Sequence, residues 1–171
     1  MKKIVILCLI ALLSLSSAVC LAAAADNAMA AVALYVDTSG AYVPGTDFMT
    51  KALNEVVRFK INALFLGSEV QSGNEVLRDL HRCSVDGAAT ATPENLSAYA
   101  ANRHVNYIIL LSVRPLDVAV DVKAYSSEAN EYVIDRSITR PDGTETLNTL
   151  DTLSAMVGTE ITAILQTLRG S

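Results

Sequence analysis

The sequence predicts an α/β (α+β) fold: a mixed β-sheet with βα crossovers, an antiparallel meander, and a C-terminal helix packed on the sheet. Three observations predict this class. Short apolar runs rich in β-forming residues alternate with stretches of helical periodicity in the first part of the chain. Two segments of alternating polarity, separated by polar turns, follow them. A helical stripe of leucine and isoleucine comes last, so the expected order of elements is β-α-β-α-α-β-β-β-α.

The first strand and helix are indicated by an apolar run at residues 32–36, which turn-forming residues end. Thr46 or Asp47 is expected to cap the helix that follows. The apolar positions of this helix have helical spacing and are Phe48, Ala52, Val56 and Phe59, with Leu53 and Val57 beside them. A second, shorter strand is expected at residues 63–70.

Two helices are expected before the third strand. Residues 72–75 match a capping box, in which Ser72 caps the helix and Glu75 reaches back to it. The apolar residues of this helix are Val76, Leu77, Leu80 and Cys83. Pro93 is expected at the first position of the next helix, directly after Thr92. The residues that line the second of these helices are Leu96, Tyr99 and Ala100.

The remaining elements are three strands and a helix. The continuous apolar run at 107–111 predicts a central strand buried on both faces. Residues 118–125 alternate between apolar and polar side chains, which is typical of a half-buried strand. The last strand spans 132–139 and places three side chains on one face: Tyr132, Ile134 and Ile138. The closing helix has a core-facing stripe made of Leu147, Leu150, Leu153, Val157, Ile161, Ile164 or Leu165, and Leu168.

Residues 1–25 are typical of a secretory signal peptide. Two lysines precede an apolar run at 4–13, and small residues at 22–25 suit a signal peptidase. Cleavage after Ala25 is favoured, and cleavage after Ala30 is the alternative. The signal predicts a periplasmic or secreted protein whose residues 26–171 form a single α/β domain.

Two other interpretations of the N-terminus stay open. An uncleaved anchor is one, because residues 4–25 approach the roughly 20 residues that a helix needs to cross a bilayer. A lipoprotein acylated on Cys20 is the other, although Ser17 and Val19 fit a lipobox poorly. Contact with a membrane is therefore expected only if the N-terminal segment is retained or Cys20 is acylated.

The net charge and the cysteine content limit the classes of partner that we expect. Without Lys2 and Lys3, 11 basic residues face 18 acidic ones, a net charge of −7. Such a surface repels phosphate backbones, which excludes nucleic acid as an expected partner. Cys83 is then the one cysteine left, so no disulfide can form within the chain. Burial of this thiol is favoured over pairing between chains.

No group of residues predicts catalysis, a metal or a cofactor. His81 and Cys83 lie two positions apart, so they do not share a helix face, although His104 could approach either. Three such ligands with this spacing do not predict zinc. Asp117 and Asp121 lie four apart on one strand face, which is more typical of a solvated surface than of acid–base chemistry. We therefore expect no catalytic, cofactor-binding or metal residues and no enzyme.

Three segments resemble one group of envelope proteins. They are VALYVDTSG at 32–40 followed by Gly45-Thr46-Asp47 and a helix, NLSAYA at 95–100 running into VNYII at 105–109, and VKAY through EYVI at 122–134. The group comprises the TolB amino-terminal domain, the curli-secretion lipoprotein and the lipoprotein activators of penicillin-binding proteins. The resemblance implies a domain that is not an enzyme and that contributes no catalytic residues. The chain lacks the clear lipobox, β-propeller and pore-forming insertion found in that group.

The sequence thus predicts a non-enzymatic cell-envelope protein that binds another protein or a cell-wall component through a sheet edge or polar loops. Tyr42 and Tyr125 are the candidate contact residues. Two alternatives stay open: a small secreted hydrolase with an unrecognised site, and a structural subunit that assembles with itself through a sheet edge, as a homo-oligomer.

We expect the exported protein to begin near Asp26, because the charged, apolar and small-residue regions appear in the order that signal peptidase requires. N-terminal sequencing of the extracytoplasmic protein measures this directly. Recovery of intact Met1 in the membrane fraction would contradict cleavage, and an acylated Cys20 would support the lipoprotein instead.

Overall fold

A computed structural model describes residues 28–65, 69–140, 142 and 148–170. The signal segment lies outside the described residues, apart from its alternative cleavage site at Ala30. Five strands and four helices follow one another along these residues. They are β1 (Ala28–Val36), α1 (Thr46–Leu64), β2 (Val70–Ser72), α2 (Asn74–Arg82), α3 (Pro93–Arg103), β3 (Val105–Arg114), β4 (Ala119–Ser126), β5 (Glu131–Thr139) and α4 (Thr149–Gly170). The predicted order and the α/β class are confirmed.

The five strands form one mixed sheet in the order β2-β1-β3-β4-β5. β1 pairs in parallel with both β2 and β3, and β3, β4 and β5 form an antiparallel meander. The register of the central pair places Val32 beside Ile109. Parallel neighbours need crossover connections, and the helices that supply them cover the two faces of the sheet.

One face of the sheet packs against α1 and α4. Its core joins alternate residues of the three middle strands, such as Val32, Ile109 and Val122, with Leu53 of α1 and Ile161 of α4. The C-terminal helix therefore docks on its own sheet, as its stripe predicts, although Leu147 of that stripe lies outside the described residues. Gly158 lies where α4 approaches α1, and a Cβ there would meet the Cε of Lys60 at 3.1 Å and a methyl carbon of Val56 at 3.4 Å.

The opposite face packs against α2 and α3, but over fewer strands. Its core contains Ala31 and Ala33 of β1, Ile108 and Leu110 of β3, and Tyr125 of β4, and the helices contribute Val76, Leu80, Leu96, Tyr99 and Ala100. Most of β4 and β5 on this face carries polar side chains. Among the described residues, these two helices cover one side of this face and leave the meander side open, and this opening forms the candidate site below.

The start of α1 differs from the prediction, and so does its end. Gly45, at φ 82°, is the N-cap residue, and no side chain caps the helix, because Thr46 is already helical. The helix continues to Leu64, so β2 begins only at Val70. The apolar pair Ala63 and Leu64 fits a strand or a buried helix equally well. The true buried positions of α1 are Leu53, Val57 and Ile61, whereas Phe48 and Phe59 are exposed.

The predicted capping box is also wrong. Ser72 is the last residue of β2, and Gly73, at φ 85°, is the N-cap of α2 with no side-chain hydrogen bond. Ser72 pairs with β1 as part of the strand, so it does not serve as the cap that the motif predicts. The next helix start is confirmed: Thr92 caps α3 by accepting a hydrogen bond from the Asn95 amide at 3.4 Å, and Pro93 follows it.

β5 contains a register shift that the alternating pattern did not predict. Tyr125 pairs with Tyr132, whereas the adjacent Ala124 pairs with Ile134, so Val133 is an extra residue. A one-residue insertion moves the following side chains to the opposite face. Tyr132 consequently packs with the α2–α3 side of the sheet, while Ile134 and Ile138 pack with the α1–α4 side.

The run 107–111 is predicted to be the most buried strand, and four of its five residues are fully buried, but residues 30–34 of β1 are buried as completely. Ile108 to Leu111 are at most 1% exposed and alternate between the two cores, although Tyr107 is only half-buried. Among the described helices, none combines the length and the apolar character that crossing a membrane requires.

Replacing Ile109 by Ala should lower the free energy of unfolding by about 2–5 kcal/mol, the usual range for a truncated buried isoleucine. Urea denaturation followed by circular dichroism measures the change. Val133→Ala is the control, because Val133 is 45% exposed and its truncation should cost under about 0.5 kcal/mol. Equal losses in the two variants would show that β3 is not the central buried strand.

Candidate functional site

A polar cleft of about 510 Å³ lies on the α2–α3 face, where the helices leave β4 and β5 uncovered. Its floor is formed by strand residues from β3, β4 and β5, and its wall by the loop after α2. The described lining residues are Tyr35, Val36, Asp37, Asp86, Gly87, Ala88, Ala89, Ser112, Asp121, Lys123, Asp135, Arg136 and Ser137. The cleft thus opens beside the carboxyl ends of β1 and β3, where open α/β sheets commonly bind ligands.

Arg114 holds the polar end of the cleft together. Its guanidinium donates to both carboxylate oxygens of Asp121, at 2.8 and 3.3 Å, and to the hydroxyl of Ser137 at 3.2 Å. It also pairs with Asp117 in the turn that joins β3 to β4. The network therefore ties three neighbouring strands and one turn to a single cation.

This network sets the charge state of Asp121. Burial alone would raise the pKa of Asp121, but hydrogen bonds from Ser137 and Arg114, with the charges of Arg114 and Lys123, outweigh it and lower the pKa. The hydrogen bonds and charge of Asp121 in turn raise the pKa of Arg114. Asp121 is consequently a fixed anion at neutral pH and a poor proton donor.

The middle of the cleft pairs one lysine with an acidic and an aromatic group. The Nζ of Lys123 lies 3.6 Å from Asp135 and 5.1 Å from the centre of the Tyr132 ring. Tyr132 packs edge-on against Tyr125, with ring centres 6.1 Å apart, and its hydroxyl donates to the carbonyl of Ala91. These contacts hold Lys123 at the floor of the cleft, since a cation over an aromatic face is attracted to it.

The wall of the cleft is attached to β1 by one hydrogen bond. The hydroxyl of Tyr35 donates to the carbonyl of Val85 at 3.3 Å. Burial and the nearby charge of Asp86 raise the pKa of Tyr35 to about 12, so this tyrosine stays protonated. Asp86 pairs with His81, and its amide donates to the hydroxyl of Thr90 at 2.8 Å.

The structure gives different surroundings to the three groups that could have formed a catalytic cluster. His81 pairs with Asp86, Cys83 lies beside Tyr99, and His104 is an exposed residue at φ 53° that ends α3. Within the described part of the chain, no three His, Cys, Asp or Glu residues could hold a metal ion.

The other predicted candidates also changed their roles. Asp117 lies in a turn rather than on the strand of Asp121, and Arg114 joins the two carboxylates. Tyr42 is 90% exposed and stays a candidate contact residue, whereas Tyr125 is fully buried, so its prediction as a contact residue is wrong.

A larger depression, of about 600 Å³, lies between the starts of α1 and α2. Several of its polar side chains bond within α1: Thr50 donates to the carbonyl of Thr46, Asn54 to that of Thr50, and Arg58 to the carboxylate of Glu55. Glu55 and Arg58 are exposed, Thr50 and Asn54 are half-buried, and all four bond within their own helix, so they do not converge on a ligand. The polar cleft is the better candidate because its charged groups converge from separate strands.

The polar cleft borders the long edge of the sheet. β5 is nine residues long and pairs with β4 on one side only, among the residues that the structure describes. β2, the other edge strand, has three residues. An unpaired strand presents backbone N–H and C=O groups that another strand can pair with. The arrangement can therefore bind an extended segment along β5 while the cleft contacts its side chains.

No family model and no curated protein matches this chain. The likeness to the envelope group thus stays a prediction from sequence motifs.

Replacing Asp121 by Asn should lower the free energy of unfolding at pH 7 by about 1.5–3 kcal/mol, the range for hydrogen bonds to a charged group. The folded-state pKa of Asp121 is below its unfolded value, so its contribution is present above the unfolded pKa and is lost as pH falls through the folded pKa. Urea denaturation from pH 7 down to strongly acidic pH measures the difference.

The control for this prediction is Glu128→Gln, which changes the same charge in an exposed turn. It should leave the stability within about 0.5 kcal/mol of the wild type. A deficit of Asp121→Asn that stayed constant across the acidic range would contradict the role of the carboxylate charge.

Proposed function

We propose that this chain is a non-enzymatic extracytoplasmic protein that binds an extended segment of an envelope protein by adding it to the outer edge of β5. One observation carries the proposal: the sheet ends on a nine-residue strand that has no described partner on its outer side. The signal segment and the resemblance to envelope proteins supply the location, and they are independent of this edge.

The usable part of the edge is the regular segment 134–139. The bulge at Val133 disrupts the ladder at the beginning of β5, and bulges commonly discourage pairing where they occur. After it, the pairing with β4 continues without interruption from Ile134 to Thr139. A segment of about six residues can therefore form a continuous ladder here, and main-chain hydrogen bonds would supply its affinity.

The side chains beside this edge indicate the chemistry of the partner. Ile134 and Ile138 flank the α4 side, so alternate residues of the partner should be apolar. Asp135 and Ser137 flank the cleft side. The described lining residues include four aspartates and two basic residues, and Arg114 neutralises one of the aspartates, which leaves an excess of one negative charge. The residues of the partner that point to the cleft should therefore be basic.

A second copy of this chain suits the edge less well than a foreign segment. Antiparallel self-pairing centred on Asp135 or on Arg136 would place like charges directly opposite each other, which is destabilising. Pairing centred on Ser137 would place Arg136 opposite Ile138. The β5 sequence thus disfavours its own pairing while leaving the backbone open to another partner.

The test uses a synthetic peptide that alternates valine and lysine, added to the isotope-labelled exported protein. We expect amide chemical shifts to change along residues 134–139 and around the polar cleft. A peptide with glutamate in place of lysine should bind more weakly, by about threefold or more. Methylating alternate backbone nitrogens of the first peptide should abolish binding, since it blocks the ladder.

Asp135→Lys should reverse the preference between the two peptides, because it changes the charge beside the edge. Glu128→Lys is the matched control, since it makes the same charge change in an exposed turn away from the edge segment, and it should preserve the preference. Shifts confined to other surfaces, or equal binding of the methylated peptide, would overturn strand addition at β5.

A further inference from the structure

A separate pocket of about 210 Å³ lies between α2 and α3, away from the β5 edge. Its described lining residues are Asp79, Arg82, Cys83, Tyr99, Asn102 and Arg103. Its volume is below the range of about 300–1,000 Å³ that is typical of drug-sized ligands. The pocket thus fits a molecule with few heavy atoms.

Two side chains in this pocket are able to react with or bind a small molecule. Cys83 is a free thiol and is half-buried at the end of α2. Tyr99 is 1% exposed, and within the described residues its hydroxyl has no hydrogen-bond partner. A buried hydroxyl without a partner is rare in folded proteins and indicates a missing one. The burial of Tyr99 and its proximity to Cys83 raise its pKa to about 12, so the hydroxyl is available as a donor.

The charged groups that line the pocket carry an excess of one positive charge. Asp79 is 7% exposed and pairs with three arginines: Arg82 at 2.9 Å, Arg78 at 3.7 Å, and Arg103. One carboxylate neutralises one of these cations, and the guanidinium groups of Arg82 and Arg103 keep donors for an anion. Arginine binds carboxylates in a fork-like geometry that a lysine cannot match.

We propose that Cys83 is a modification site that exchanges with a small, carboxylate-bearing disulfide and holds the product in this pocket. The carboxylate is bound by Arg82 and Arg103, and the hydroxyl of Tyr99 donates to an acceptor on the bound half. The proposal does not depend on strand addition at β5, and either can fail without the other.

The exchange is balanced without a further reagent. The thiolate of Cys83 attacks one sulfur of the small disulfide, a new S–S bond forms to Cys83, and the old S–S bond breaks. The released half leaves as a thiolate and takes up the proton that Cys83 lost. The small disulfide is thus the oxidant, and one half of it is reduced to a thiol.

The test compares cystine with cystamine, which differ only in the two carboxylates of cystine. Mass spectrometry of the peptide that contains Cys83 reads the mixed disulfide in the exported protein. The rate of adduct formation with cystine is divided by the rate with cystamine, first in the folded protein and then in the urea-denatured chain. Dividing the first ratio by the second removes the difference in intrinsic reactivity between the two disulfides. We expect a preference for cystine of at least about fivefold.

Two variants identify the residues responsible. Arg82→Gln should lower the preference at least about threefold, whereas Arg58→Gln, an exposed arginine of α1, should not change it. Tyr99→Phe should make the cystine adduct easier to reduce, whereas Tyr107→Phe, on the other core of the sheet, should have no effect. A normalised preference near one, an unaffected Tyr99→Phe adduct, or a disulfide between two chains in place of the adduct would overturn the proposal.

Discussion

The double burial of β3 is the constraint on which this architecture depends. Four consecutive apolar side chains, from Ile108 to Leu111, point alternately to the two faces of the sheet, and each face must be removed from water. Fully burying one such side chain contributes about 1.5–3 kcal/mol, so the run favours layers on both sides. β1 shares this requirement because it lies beside β3 in parallel. Two pairs of helices satisfy both strands.

The coverage is unequal, and the difference creates the candidate site. On the α1–α4 side, apolar residues of β4 and β5 extend the core outward from β3. On the other side, the same two strands carry Asp121, Lys123, Asp135 and Ser137, which none of the described helices covers. Arg114 neutralises the most buried of these carboxylates, so the exposed strip stays ordered without an apolar cover. The polar cleft is thus a surface that the fold leaves open.

Most of the fold could be predicted from the sequence because the spacing of apolar residues along the chain indicates which side chains are buried. The apolar run of β3, the alternation of β4 and the stripe of α4 each indicated their elements. Local chemistry predicted less: the helices α1 and α2 begin at glycines with positive φ, and strand pairing, not a capping motif, decides which residue precedes α2. The bulge at Val133 also has no signal in an alternating pattern.

The candidate site could be predicted only in part, because its residues come from separate elements. The polar positions of β4 indicated a solvent-exposed strand face. Nothing in the sequence relates Arg114 to Ser137, which lies two strands away. The pairing registers of β3 with β4 and of β4 with β5 bring them together. Cys83 and Tyr99 likewise meet only because α2 and α3 pack on the same face.

The position of α4 along the chain has a consequence for how this protein folds. The central sheet pairing joins Ala30 to Tyr107, and α4 shares a core with α1 that includes Ile161 and Leu53, so both arrangements close long loops. Such non-local contacts form slowly, because the entropy of loop closure is lost before any contact compensates for it. A chain in which α4 has not yet docked exposes the apolar side of β3 and β4, and exposed apolar surface favours aggregation. The docking of α4 is therefore the step that removes this surface from water.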